Sequence, residues 1–243
     1  MTNLVKHIAS LPEKKKNNSA IFLGCGPSIN LIDDEFKVKL ESLDVWSSNS
    51  WIIHNNIVPD FYHVEVKAHR SGPIFKRLCA EKAVPYKEVN WLIDGTRAHL
   101  LEYVRPDLYQ SIYAYPKFYR QEESGNYLPH PQAIAVSNNA SLTVILDIMS
   151  RMNYEKIYFL GVDMYSSKYF WTDNPDYEDT GIPDIIKSCK PDERPPDSNH
   201  PTQKLKDFIV EFGEANKIEM INLSPESLLS TRMKTISIGD LSV

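Results

Sequence analysis

Ala20-Ile21-Phe22-Leu23-Gly24-Cys25-Gly26-Pro27-Ser28 decides the fold: four consecutive apolar residues run into a glycine-bounded turn, and Ile29-Asn30-Leu31-Ile32-Asp33-Asp34 follows. A short apolar run ending in Gly-x-Gly reads as a buried strand, a tight loop and a short helix, with Pro27 at the first helical position, where its missing N–H costs nothing. Outward from it, strands are expected at 44–47, 61–66 and 89–93. Stretches rich in Lys, Glu, Leu and Ala at 73–82 and 98–103 read as helices. This alternation predicts an α/β domain built on a mostly parallel sheet with helices on both faces.

The second half repeats the pattern more regularly. Ser141 to Met149 is apolar nearly all round, as a helix buried against a sheet would be, and it feeds the strand pattern Lys156-Ile157-Tyr158-Phe159-Leu160-Gly161-Val162-Asp163. Leu205, Phe208, Ile209 and Phe212 give 202–216 one apolar helical face before a last strand at 219–223, which is expected to close the sheet. Residues 172–201 are polar and hold six prolines, from Pro175 to Pro201. A run of that length without regular structure reads as either a disordered segment or a functional lid, the lid placed at about 172–199. The tyrosine-rich stretch 106–131 reads as a second irregular insertion within one domain spanning 1–243.

Composition narrows the function. The 243 residues carry 27 Lys+Arg against 32 Asp+Glu, a net charge of −5 and a pI near 5.8. That is the wrong field for a nucleic-acid partner, which needs clustered cations. Cys25, Cys79 and Cys189 form no Cys-x-x-Cys pair and no zinc spacing with the histidines, which suits a reducing, cytoplasmic setting. No signal peptide or apolar span of membrane length is legible. Lys14-Lys15-Lys16 reads as a solvated surface, with a peripheral contact to the inner face of an anionic membrane as the alternative.

Candidate site residues follow from the topology expected of such sheets, in which ligands bind at the carboxyl ends of strands. The Gly24-Cys25-Gly26-Pro27-Ser28 turn suits a phosphate, although Ile29 stands where the dinucleotide fingerprint has its third Gly and no P-loop Lys is present. Asn49 ends the second strand. Asn138 and Ser141 precede or open the buried helix, where they either contact a nucleotide or cap the helix. Tyr165 and Tyr169 follow Gly161 and Asp163, placing two phenols near a strand end. His200, between the polar segment and the last helix, is a candidate general base. His63, Glu65 and His69 offer a weaker carboxylate and imidazole cluster.

In order, Ile21 to Ser28, Ser48-Asn49-Ser50, Phe61-Tyr62-His63, Tyr154 to Tyr165, His200-Pro201 and Ile221 to Leu229 resemble the bacterial sialyltransferases of glycosyltransferase family 42. The wider group sharing the Gly-Pro-Ser motif includes motility-associated glycosyltransferases and 6-hydroxymethylpterin diphosphokinase-like proteins. The resemblance implies a Rossmann-like sheet and a CMP-activated acidic sugar donor. It also implies a glycan or lipooligosaccharide acceptor, no cofactor or metal, and a homo-oligomer. By similarity, His200 deprotonates the acceptor, Tyr165 and Tyr169 stabilise the departing CMP phosphate, and Asn49 and His63 lie at the donor. The chain departs from the family at Cys25, where an Asn is usual, and at Asn138, where an Arg is usual. Two other readings stand beside this one: a Mg²⁺-dependent diphosphokinase-like transferase using Asp60, Glu65 and Asp163, and a non-catalytic nucleotide-binding protein.

Overall fold

The computed structural model describes residues 5–65, 68–94, 111–119, 134–136, 141–164, 168–180 and 201–242. Within them lie β1 (Val5–His7), β2 (Ser19–Leu23), α1 (Asp34–Leu40), β3 (Asp44–Ser48), β4 (Phe61–Val64), α2 (Ala68–Glu81), β5 (Asn90–Asp94) and β6 (Ser111–Tyr115). There follow β7 (Lys117–Tyr119), β8 (Ile134–Val136), α3 (Ser141–Arg151), β9 (Lys156–Leu160), α4 (Pro201–Asn216), β10 (Glu219–Asn222) and β11 (Lys234–Thr235). The main sheet has nine strands in the order β1-β6-β5-β4-β3-β2-β9-β10-β11, with every neighbouring pair parallel. β7 and β8 form a small parallel pair of their own. The expected α/β class is therefore observed.

Parallel strands buried on both faces read as continuous apolar runs, and their side chains divide by parity between two cores. Ile21, Leu23, Val45, Tyr62, Val64, Trp91, Ile93, Tyr158 and Leu160 face one core together with Phe36 and Leu40 of α1 and Phe75 and Leu78 of α2. Ala20, Phe22, Trp46, Phe61, Leu92, Ile157 and Phe159 face the other, against Ile145, Ile148 and Met149 of α3 and Phe208, Ile209 and Phe212 of α4. α1 begins where Asp33 accepts the N–H of Phe36 at 2.8 Å, so its side chain caps the helix.

The amino end of the sheet is tied by carboxylates. Asp44, fully buried, accepts N–H groups from Lys16 and Asn17 and the Tyr154 hydroxyl at 2.6 Å, while Trp46 Nε1 donates to Tyr154 at 3.2 Å. Asp60 binds Lys16 Nζ at 2.6 Å and the Val45 N–H at 2.9 Å. Lys15 Nζ donates to the Asn153 carbonyl at 2.7 Å and lies over the Tyr154 ring. Lys15 and Lys16 thus each have a partner within the fold, on a side of the protein where the Lys16 side chain is still 65% exposed. Among the described residues no helix is long and apolar enough to cross a membrane.

Several expectations shift. Residues 5–14, unassigned from sequence, form edge strand β1 and a 3-10 helix over Ile8–Lys14. Part of the tyrosine-rich stretch is core: β6 pairs with both β5 and β1, burying Ile112, Tyr113 and Tyr115. Tyrosine hid that strand, because its ring packs like an apolar residue while its hydroxyl makes the segment look polar. The sheet ends on β11 rather than β10. Of the expected lid, 172–180 carries a turn and a 3-10 helix over Pro175–Thr180, with Asn174 Nδ2 on Asn30 Oδ1 at 3.2 Å. Residues 181–199 lie outside the described ones, as does the expected helix 98–103.

His54 adds a pH dependence to this core. It stacks on Trp51 at 4.6 Å, and its Nδ1 accepts the N–H of Ile57 at 3.1 Å. Burial, reinforced by Lys82, lowers its pKa from 6.5 to about 4. The unfolded chain therefore binds the extra proton between those values, so stability is full above pH 6.5 and falls on acidification towards pH 4. The expected loss is up to about 3 kcal/mol. Urea melts of wild type and His54→Gln at pH 7 and pH 5 check this: the pH-dependent drop should shrink in the variant, and an equal drop in both would remove His54 as its source.

Candidate functional site

From β2 the chain steps outward through β3, β4, β5 and β6, whereas β9 and β10 lie on β2's other side. The direction reverses between β2 and β9, and the carboxyl ends of these two strands form the crevice in which open α/β sheets bind ligands.

The two strand exits fit together through their glycines. The Gly24 N–H donates to the Leu160 carbonyl and that of Gly26 to the Gly161 carbonyl, both at 2.8 Å. A Cβ on Gly24 would lie 2.3 Å from the Gly161 oxygen, and one on Gly26 would lie 2.3 Å from Asp163 Oδ2. Gly161 adopts φ +75°, a left-handed conformation that glycine accepts readily. These glycines are therefore required by the approach of two backbones, whatever else the loop does. Pro27 opens a 3-10 helix over Pro27–Leu31, as its sequence position predicts, and Ser28 Oγ accepts the Gly161 N–H at 3.0 Å.

Asp163 sits in this crevice, 3% exposed. Its Oδ2 accepts the Ser28 N–H at 2.9 Å, while its Oδ1 is buried with no hydrogen-bond partner among the described residues. A buried carboxylate oxygen left unpaired is costly, and a ligand that brings an N–H or O–H is one way such a cost is offset. The backbone around it is fixed from the C-terminal side: Ser227 Oγ donates to the Val162 carbonyl at 2.7 Å and the Leu228 N–H to the Asp163 carbonyl at 3.1 Å. That gives the Ser224 to Leu229 motif a local reason. Ser227 was missed from sequence, and its place within that motif was the available signal.

Cys25 lies on the other lip. Its carbonyl accepts the Phe170 N–H at 2.9 Å, its Sγ lies 4.0 Å from the Ser48 carbonyl, and burial pushes its thiol up to about 12. This cysteine is a protonated, weakly nucleophilic side chain at neutral pH. The Phe170 contact brings Tyr169 beside the glycine loop, where its ring stacks on Trp171 at 4.5 Å. Trp171, 5% exposed, has an Nε1 with no partner among the described residues and was not singled out from sequence.

A second group of expected residues gathers at the carboxyl ends of β3 and β4. Asn49, at φ +49°, donates from Nδ2 to Ser141 Oγ at 3.0 Å and accepts the Glu65 N–H on Oδ1 at 2.7 Å. Ser141 Oγ donates to Glu65 Oε2 at 2.8 Å, and the Tyr62 hydroxyl donates to the Asn49 carbonyl. Ser141 is the first residue of α3, so the network joins two strand ends to a buried helix. His63 is fully buried, its Nε2 2.6 Å from the Tyr115 hydroxyl. It faces the α3 side of the sheet rather than an open surface. Tyr165, Asn138 and His200 fall outside the described residues.

The carboxylates of the phosphoryl-transfer reading do not converge. Asp60 precedes β4 and Glu65 follows it, a separation of roughly 16 Å at the usual strand rise. Among the described residues no group of three His, Cys, Asp or Glu side chains is placed to hold a metal ion.

No family model and no curated protein sequence matches the chain. Solved structures do. The sialyltransferase CstII from Campylobacter jejuni in complex with the substrate analogue CMP-3FNeuAc aligns at TM-score 0.53 and 16% identity, over 92% of this chain and 89% of that one. The monofunctional α-2,3-sialyltransferase Cst-I from Campylobacter jejuni aligns at TM-score 0.53 and 14% identity, over 94% and 84%. CstII in complex with a trisaccharide acceptor and CMP aligns at TM-score 0.51 and 14% identity, over 93% and 89%. At these identities the likeness is one of fold, and it extends over nearly the whole chain.

Proposed function

We propose that the protein is a metal-independent inverting glycosyltransferase that moves an acidic, sialic-acid-like sugar from its CMP-activated form to a glycan hydroxyl. The observation that carries this reading is Asp163, a buried carboxylate with one oxygen on Ser28 and the other without a partner among the described residues, at the crevice where the strand order reverses. An acceptor oxygen there suits the hydroxyl or amino donors of a nucleoside. The shared fold of CMP-bound sialyltransferases adds the class of nucleotide.

In this mechanism the acceptor hydroxyl attacks the anomeric carbon in line with the bond to phosphate. His200 takes the hydroxyl proton as the new C–O bond forms, and the anomeric C–O(phosphate) bond breaks to release CMP. Tyr165 and Tyr169 donate to the phosphate oxygens as charge builds on them, so the leaving group departs without a metal. Asn49 and the turn from Gly24 to Ser28 line the nucleotide side. The separation of Asp60 from Glu65 disfavours the Mg²⁺-dependent alternative.

Asp163→Asn tests the carrying observation. The substitution can keep the Ser28 contact only by placing an NH₂ where Oδ1 now stands, so donor would face donor. Titration calorimetry should show CMP binding weakened by about 10- to 100-fold, the usual cost of losing a hydrogen bond to a charged group. Unchanged CMP affinity would remove Asp163 from the nucleotide site.

A further inference from the structure

Asn49, Ser141 and Glu65 close a three-membered ring of hydrogen bonds, and its direction can be read without locating a proton. Asn49 Oδ1 faces the Glu65 N–H at 2.7 Å, which can only donate, so the oxygen of this amide is fixed and Nδ2 must point the other way. Nδ2 then donates to Ser141 Oγ at 3.0 Å. With its oxygen accepting, the Ser141 hydroxyl sends its one proton to Glu65 Oε2 at 2.8 Å. Glu65 thus holds Asn49 twice, through its own N–H and through Ser141. The ring leaves Asn49 with a second Nδ2–H that has no protein partner among the described residues and Ser141 with an unused lone pair. All three residues are only partly buried.

We propose that Glu65 is a positioning residue of the nucleotide site: its carboxylate orients the Ser141 hydroxyl, and through it the Asn49 amide, so that Asn49 presents an N–H donor to the bound nucleotide. The inference rests on the nucleotide reading above and adds a residue to it. A carboxylate is suited to the task because it only accepts when ionised, so the Ser141 proton has one destination. Without it that hydroxyl rotates freely, and the Asn49 amide keeps only the Glu65 N–H as an anchor, so its Nδ2 end is no longer held in place. The backbone pin from Tyr62 to the Asn49 carbonyl does not depend on Glu65, so the fold survives its loss.

Two variants and two readouts test this. Glu65→Ala should weaken CMP binding by about tenfold, the effect of one misplaced hydrogen-bond donor, whereas Glu65→Gln, which keeps an acceptor for Ser141, should stay within about threefold of wild type. Thermal melts of both variants should remain close to wild type, which separates positioning from stability. The second readout needs no ligand: the side-chain ¹⁵N–¹H₂ resonances of Asn49, identified by their loss in Asn49→Asp, should shift and exchange faster with water in Glu65→Ala but not in Glu65→Gln. Wild-type CMP affinity in Glu65→Ala would overturn the proposal. If the wild-type protein fails to bind CMP, the nucleotide reading falls, and Asn49 resonances unchanged in Glu65→Ala would overturn the positioning role on their own.

Discussion

His200→Ala is expected to lower turnover by about 10²- to 10⁴-fold, the range for removing a general base, while leaving CMP affinity near that of wild type. The split follows from the proposed division of labour. His200 stands immediately before α4, on the chain segment arriving from the polar, proline-rich stretch, whereas the nucleotide side is built from the exits of β2, β3 and β9. A proton acceptor that meets only the acceptor hydroxyl contributes to the transition state and not to nucleotide binding. Its loss should therefore appear in kcat rather than in the dissociation constant of CMP. Unchanged turnover would take His200 out of the mechanism. A parallel loss of CMP binding would instead place it among the nucleotide contacts.

Gly161→Ala is expected to cost the fold about 3 kcal/mol or more, combining a left-handed backbone with backbone crowding. Gly161 holds φ +75°, and a Cβ there would stand 2.6 Å from the Gly24 oxygen and 2.7 Å from Ile29 Cγ1. Neither neighbour can yield cheaply: the first is backbone, and the second is packed in the core at 2% exposure. The melting temperature should fall by roughly 6–12 °C for a chain of this size. Because the same displacement separates Ser28 from Asp163, CMP binding should fall with it. A melting temperature within about 2 °C of wild type would contradict the tight fit of the two strand exits.

Much of the sheet was legible because parallel strands announce themselves as apolar runs. β2, β3, β5, β9 and β10 fall where 20–23, 44–47, 89–93, 156–163 and 219–223 were expected, and α3 and α4 where the apolar periodicity placed them. The misses share a cause. β1 and β11 are edge strands of three and two residues, too short to show a period, and β6 disguises its core as tyrosine. Strand β9 stops at Leu160 rather than Asp163, because Gly161 turns left-handed and Met164 follows with φ +61°.

At the site, sequence found residue types but not their duties. Gly24, Gly26 and Gly161 looked like a phosphate cradle and are first of all the contact between two strand exits. Asn49 and Ser141, ninety-two positions apart, proved to be hydrogen-bonded to each other, a pairing that no local pattern encodes. Glu65 entered the sequence reading only as part of a histidine cluster or a metal set, because its partner Ser141 is brought to it by the burial of α3. His63, a candidate donor contact by its place in the sequence, is held against Tyr115, since residues 61 and 63 share the face covered by α3.

The central claim is that the crevice between β2 and β9 takes a CMP-linked sugar without a metal. Its most direct test is a thermal-shift titration with CMP and ATP, each in EDTA and in Mg²⁺. The account predicts stabilisation by CMP that is the same in EDTA as in Mg²⁺ and reaches about 2.7 kcal/mol at a hundredfold excess over the dissociation constant. Stabilisation by ATP alone, and only with Mg²⁺ present, would contradict it.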